Sequence, residues 1–413
     1  MFRPRLPHKV SVPSTGSIDY MDVGLHGING ANETVAAILD RRTHNISQLI
    51  LSHNSLADDG CALLFEFLAS DAGRKYRIQK ISLNSNGIRD RGLASIVTFL
   101  KGDASLKELF VQNNEFACTD PFLAKSFADA TNHSCLEVLT LSTNRHLGDS
   151  FITNFIPSLN APSLRELHCS AMGVTHRSVP ALIEYFSSPR CRLETLKLNG
   201  NSLGFRGVRS VIRAIERHNY TLTSVEMWSN NGPGSEVDNN VTLAEDDDFP
   251  TNGTWQENNA ALIPIMLRND RLGKATRMEA LGLLRLARTL LLPSRTVHPS
   301  LAIFPFTQLP TELQLYVFTF LSPTLSPSQR SRIYTYASSL ATLPRLYELP
   351  VNPSSSSYVN RTSTTLKAKL NLLNLLQCYF YDREAYFIDP LPLTRLCRIR
   401  QPTGHGHVSP FIA

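Results

Sequence analysis

The sequence predicts an α/β fold, a right-handed α/β horseshoe of stacked turns followed by a mainly α-helical C-terminal region. Three observations predict it. A pattern of apolar residues ending in an asparagine recurs about every thirty residues through the first half of the chain. Each recurrence joins an alternating apolar stretch to a stretch with apolar residues four apart, a strand followed by a helix. After Asn231 the pattern stops, and the remaining apolar segments have helical spacing only.

The turns justify themselves in order. Ile46, Leu49, Leu51, Asn54 and Leu56 recur as Ile78, Ile81, Leu83, Asn86 and Ile88, and again as Leu106, Leu109, Val111, Asn114 and Phe116. Further copies begin at Leu136, Leu164, Leu193 and Leu222. One period upstream lies a worn copy, Ile18, Met21, Val23, His26 and Ile28, which sets His26 in the asparagine slot. This makes about eight turns over residues 18–231, preceded by an extension, 1–17. The strand half buries one face, as at Leu193, Leu196 and Leu198. The helix half is read from Leu56, Gly60, Leu64 and Leu68, or from Leu203, Gly207, Val211 and Ile215, four apart on one helix face. The glycine lets the start of the helix pack close to the neighbouring turn. The asparagine answers a different need. A tight corner leaves backbone groups that no strand or helix satisfies, and a buried amide both donates and accepts there. Asn54, Asn86, Asn114, Asn144, Asn201 and Asn230 fill the slot, whereas Met172 does not.

This repeat resembles the leucine-rich repeats of the ribonuclease-inhibitor type, to which the long period and the helical second half belong. The resemblance covers about half the chain and implies a solenoid that holds a partner protein on its concave face. Strand alternation assigns that face. Its central column reads Asp22, Ile50, Ser82, Phe110, Thr140, His168, Lys197 and Glu226. One flank runs Gly24, Ser52, Asn84, Gln112, Ser142, Ser170, Asn199 and Trp228, and the other includes Tyr20, Gln48, Lys80, Glu108 and Glu166. Most are small or polar. Tyr20, Ile50, Phe110 and Trp228 are the exceptions, and exposed aromatics are favoured anchors at interfaces. Trp228 has a second reading, as a residue covered by the C-terminal cap.

Composition narrows the class. The 413 residues suffice for two domains. Seven cysteines stand without paired spacing or a CxxC, which suggests reduced thiols and a location inside the cell, in cytoplasm, nucleus or both. The N-terminus has no apolar run that would read as a signal peptide. The stretch 281–292 is broken by Arg285 and Arg288 and is too short to span a bilayer. Residues 251–413 carry 17 Lys and Arg against 8 Asp and Glu, while residues 1–250 carry 24 against 27. Such a basic C-terminal part either favours an acidic partner or is solvated helix surface. The aromatic and basic interleaving of nucleic-acid platforms is missing, which argues against nucleic acid.

Residues 232–254, with Glu245 to Asp248, read as an acidic loop. Residues 255–350 read as a helical cap over the last turn, beginning with helices near 255–269 and 274–292. Arg268, Arg271, Lys274 and Arg277 recur every three residues, either as a basic stripe for an anionic surface or as a plain solvated face. Within this part, Leu309, Pro310, Glu312 and Leu313 open the segment 306–323, where proline suits a first helical turn and glutamate the positive helix end. The segment resembles the start of an F-box, although it follows the repeats and no tryptophan closes it. That resemblance implies docking on a Skp1-type adaptor of a ubiquitin ligase through Leu309, Pro310, Leu313, Val317 and Leu321. Residues 325–341 read as a separate helix. Residues 351–413 read as a linker at Ser354 to Ser357, an amphipathic helix over 366–381 and a tail.

No P-loop, GxGxxG, HExxH or GxSxG motif is present, so neither catalysis, cofactor nor metal is expected. The expectation is a protein-binding scaffold. An F-box-like substrate adaptor is the alternative. A third reading is a GTPase-activating protein, since Ran GTPase-activating proteins have similar repeats and an acidic segment.

Overall fold

The structure is a computed structural model that describes residues 16–41, 46–231, 255–292 and 306–343. The expected acidic loop 232–254, the residues 351–413 and most of the N-terminal extension lie outside the described residues. The chain divides into two compact units, residues 1–278 and 279–413.

In the first unit, strands and helices alternate. The strands are β1 (Ser17–Asp19), β2 (Gln48–Ile50), β3 (Lys80–Ser82), β4 (Glu108–Phe110), β5 (Val138–Thr140), β6 (Glu166–His168), β7 (Thr195–Lys197) and β8 (Ser224–Glu226). They form one parallel sheet in sequential order. The helices between them are α1 (Gly27–Leu39), α2 (Ala57–Ala69), the short α3 (Asp71–Arg74), α4 (Asp90–Leu100), α5 (Pro121–His133), α6 (Gly148–Ser158), α7 (Val179–Ser187) and α8 (Gly204–His218). The central residue of each strand, from Ile18 and Leu49 to Leu196, is buried in one continuous core with the helices. Leu56, Leu64 and Leu68 join it, as do Ile88, Ile96 and Leu100, at the four-residue spacing. A Cβ on Gly60 would collide with the Gly27 carbonyl of the previous turn, so only glycine lets these helix starts meet.

The corners follow one rule. The residue before each asparagine takes a left-handed backbone: His53, Ser85, Asn113, Thr143, Gly200 and Ser229. The asparagine behind it is buried and bonds to the turn before. Asn86 donates to Leu51 O (2.9 Å) and accepts from Leu56 N (3.3 Å). Asn114 donates to Leu83 O (3.0 Å) and to Val111 O (3.1 Å), and accepts from Asn86 N (3.0 Å) and Ile88 N (3.1 Å). Asn201 donates to Cys169 O and accepts from Met172 N and Val174 N. At Met172, which cannot bond in this way, Ala171 keeps the left-handed backbone and Met172 fills the corner with apolar volume.

A second set of bonds runs the other way. Asp58 accepts from Arg89 N and Gly92 N (both 2.8 Å), Asp90 from Ala117 N and Cys118 N, and Asp149 from Thr175 N. Each carboxylate sits at the positive start of its own helix and satisfies backbone donors of the next turn.

The first turn corrects the sequence reading. Ile18 pairs in register with Leu49, not with Ile46, so the worn copy slides by three residues. The left-handed residue there is Asp22, which puts Val23 in the asparagine slot instead of His26. Met21 and Val23, expected in the core, are exposed, as is Ile28, whereas Leu25 is buried. The chance apolar spacing of Ile18, Met21 and Val23 imitates the repeat three residues too far along.

The two helices expected over 255–292 are a single helix, α9 (Trp255–Leu291), which runs through Pro264 and Gly273. A mid-helix glycine costs only about 1 kcal/mol, and neighbouring apolar positions outweigh it. Up to Met278, α9 belongs to the first unit. There Leu262 and Ile265 join the core, and Asn269 donates to Leu222 O (2.7 Å) and Asn219 O (3.2 Å). Arg268 donates to Glu216 O (2.7 Å) and Asn219 O (2.9 Å) and lies over the Tyr220 ring. This arginine is therefore committed to the fold, and Lys274 pairs with Asp270 (2.7 Å). The basic stripe is in part structural.

In the second unit, the end of α9, α10 (Thr311–Leu321) and α11 (Pro327–Ser338) share a small core of Leu283, Leu284, Ala287, Phe306, Phe318, Leu325 and Ile333. Ser326 and Gln329 close a capping box at the start of α11. Among the described residues, no helix is long and apolar enough to cross a membrane.

Candidate functional site

The sheet face turned away from the helices carries the columns expected to bind. Parallel register aligns Ile50, Ser82, Phe110, Thr140, His168, Lys197 and Glu226 side by side. The first member is Asp19 rather than Asp22, because of the shifted first turn. For the same reason Tyr20 leaves the flanking column. It follows the strand opposite Leu51 and packs half-buried against the core. Gly24 leaves its column as well, and the exposed Met21 takes that place beside Ser52. The left-handed backbone at Asp22, one residue before the asparagine slot, fixes this register, and apolar spacing alone does not show it.

The charges on this face engage one another. Lys80 pairs with Glu108 (2.9 Å) while its ammonium lies 4.5 Å from the centre of the Phe110 ring. Lys197 pairs with Glu226 (3.0 Å), and Asn199 donates to the other Glu226 oxygen (2.8 Å). These two donors hold the Glu226 carboxyl below its ordinary range. His168 Nε2 lies 3.5 Å from Glu166 Oε2, too far for a full hydrogen bond. Burial, and then the Lys197 charge, depress the His168 pKa against the pull of Glu166 and Glu226, so its imidazole is neutral near neutral pH.

Exposure separates the expected anchors. Trp228 is 54% exposed, with its backbone N–H fixed on Asn199 Oδ1 (2.8 Å). Ile50, Phe110 and Gln112 are half-buried. Ser82 and Thr140 are buried, and Thr140 lies between Phe110 and His168 in register. The residues expected as anchors are therefore spread along the sheet, with polar pairs between them. No group of three or more His, Cys, Asp or Glu side chains is placed to hold a metal among the described residues. Cys61, Cys118, Cys169 and Cys191 are buried, and burial pushes the thiols of the last three up to about 12. They serve the core.

The expected docking residues of the second unit divide. Leu309 and Val317 are half-buried against the small core. Pro310, at the N-cap of α10, is exposed, as are Leu313 and Leu321. Tyr316 and Phe320, missed from sequence, are exposed between them at 60% and 70%. The spacing of 313, 316, 317 and 320 marks one helix face and would have revealed both. Phe318 and Gln314 face inward, where Gln314 donates to Leu309 O (2.7 Å) and accepts from the Tyr334 hydroxyl (2.8 Å).

No family model and no curated protein matches the chain. Among solved structures it is similar to the tropomodulin C-terminal domain of Caenorhabditis elegans. The identity is 14%, over 60% of this chain and 97% of that one, with a TM-score of 0.24. A likeness at that score carries no argument about what this chain does.

Proposed function

We propose that the chain is a non-catalytic protein-interaction scaffold, a leucine-rich repeat solenoid that holds a partner protein on its open sheet face. The observation that carries this reading is the face itself. Repeated in-register columns present Ile50, Phe110 and Trp228 among mutually paired charges, a surface of anchors and polar rim. The neutral, half-buried His168 belongs to this lining, paired in register with Thr140 and Lys197. The test is affinity capture with the full chain beside an Ile50→Ala, Phe110→Ala double variant. A partner captured by the first and lost by the second, with unchanged circular dichroism, supports the site. Equal capture by both refutes it.

A second reading has its own observation. The exposed apolar face of α10 suits the F-box-like resemblance, in which Leu309, Pro310, Leu313, Val317 and Leu321 dock a Skp1-type adaptor of a ubiquitin ligase and the sheet face holds the substrate. Co-purification with such an adaptor, lost in a Leu313→Asp, Val317→Asp variant that still folds, is the expected result. No co-purification removes this reading and leaves the scaffold.

A further inference from the structure

We propose that the exposed face of α10 is the docking site for this chain's own segment 366–381, and that a partner using α10 must displace it. The inference does not depend on the adaptor reading.

The face is built for an apolar occupant. Leu313, Tyr316, Phe320 and Leu321 point outward, and half-buried Val317 lies between them. The Tyr316 and Phe320 rings meet edge to face, 5.2 Å between centres. The helix is only about 16 Å long, yet Phe318 and Gln314 are its only buried residues. A contiguous apolar patch of this kind on a small unit marks a contact surface.

The sequence supplies the complement. Leu366, Leu370, Leu373, Leu376 and Phe380 recur at helical spacing, with Asn371 opposite them, Lys367 and Asn374 at the flank and Lys369 among them. Such a stretch has an apolar face that must also be covered. Its charges are cations only, Lys367 and Lys369, and the acidic residue in the first turn of α10 is Glu312. The tether suffices. About two dozen residues separate Leu343 from Leu366, among them Pro344, Pro350, Pro353 and the four serines Ser354 to Ser357. They can reach about 70 Å when extended. A tether of this length holds the segment at an effective concentration on the order of 1 mM. Two complementary faces with an affinity of only about 100 μM would then be paired about nine-tenths of the time.

The test uses the full chain. Phe320 is replaced by the photo-crosslinking residue p-benzoylphenylalanine, the monomer is irradiated at micromolar concentration, and joined peptides are mapped by mass spectrometry. The expected product is an intrachain link from position 320 into 366–381, reduced about tenfold in a Leu370→Asp, Leu373→Asp double variant. The same probe at Tyr316 must reach the same segment, which guards against one poorly folded variant. Links between two chains identify a second copy as the occupant and overturn the proposal. Links elsewhere, or none at either position, overturn it too. Adaptor co-purification is a separate readout, so failure of one proposal is distinguishable from failure of the other.

Discussion

The two units treat apolar surface in opposite ways. In the first, the central residue of nearly every strand is sealed between sheet and helices, and polar corners are stitched to their neighbours by Asn and Asp side chains. In the second, three helical segments share a small core and α10 leaves Tyr316 and Phe320 in the open. The difference teaches what repetition achieves. Every added turn covers the face of the previous one, so buried area grows with length, whereas the described helices of the second unit leave one face of α10 uncovered.

The strongest way to break this comparison is to damage each unit where it is best protected. Asn114→Ala removes an amide that bridges two turns and leaves buried backbone groups unpaired, a loss of about 3 kcal/mol or more. Phe318→Ala should cost about 3–5 kcal/mol in the second unit. Hydrogen exchange should show each loss confined to its own unit. A loss spread over both would mean that they unfold as one.

A smaller effect separates the two kinds of stitch. Asp90→Ala should destabilise the first unit by about 1–2 kcal/mol, as for a lost helix cap. Burial works against ionisation of Asp90, but the N–H groups of Cys118, Ala117 and Thr119 outweigh it and hold its pKa below the ordinary value. Its stabilisation is therefore complete above the unfolded-state pKa, about 3.9, and is lost as pH falls through the lower folded value. Urea titrations of wild type and Asp90→Asn should converge in that acid window. A gap of constant size from pH 7 to pH 2 would show that charge plays no part.

In the second unit, Phe320→Ser should cost no more than about 1.5 kcal/mol, the most that loss of the docked segment can remove, because the ring lies outside the helical core. A thermal melt that fell like that of Phe318→Ala would place the ring inside. The smallest effect belongs to the sheet face. Lys197→Met removes a cation that depresses His168, so the His168 pKa followed by NMR should rise while stability stays nearly constant. An unchanged titration would leave burial as the whole cause.

Much of the first unit was legible in the sequence, because strand alternation, helical spacing and the corner asparagine all point to one register from Leu49 to Leu196. The first turn was not, because Ile18, Met21 and Val23 fit the apolar pattern while the backbone obeys the left-handed residue at Asp22. The forward-bonding Asp58, Asp90 and Asp149 recur four or five residues after an asparagine and look like ordinary surface charges until their acceptor geometry is known. The face columns followed from strand alternation, but which members stand clear of their neighbours depended on packing. Phe110 lies under Lys80, and Trp228 is open. On α10, the apolar spacing was read for Leu313 and Val317 and not carried on to Tyr316 and Phe320.

The asparagine bonds also have a direction in time. Asn54 reaches back to Gly24 and Leu25, Asn86 to Leu56, Asn114 to Asn86 and Ile88, and Asn201 to Met172 and Val174. On the ribosome, where the N-terminal turns emerge first, each corner stays open until the following one is made and is then locked from behind. The bonds therefore allow the stack to close in the order of synthesis, each turn completing the corner of the one before it.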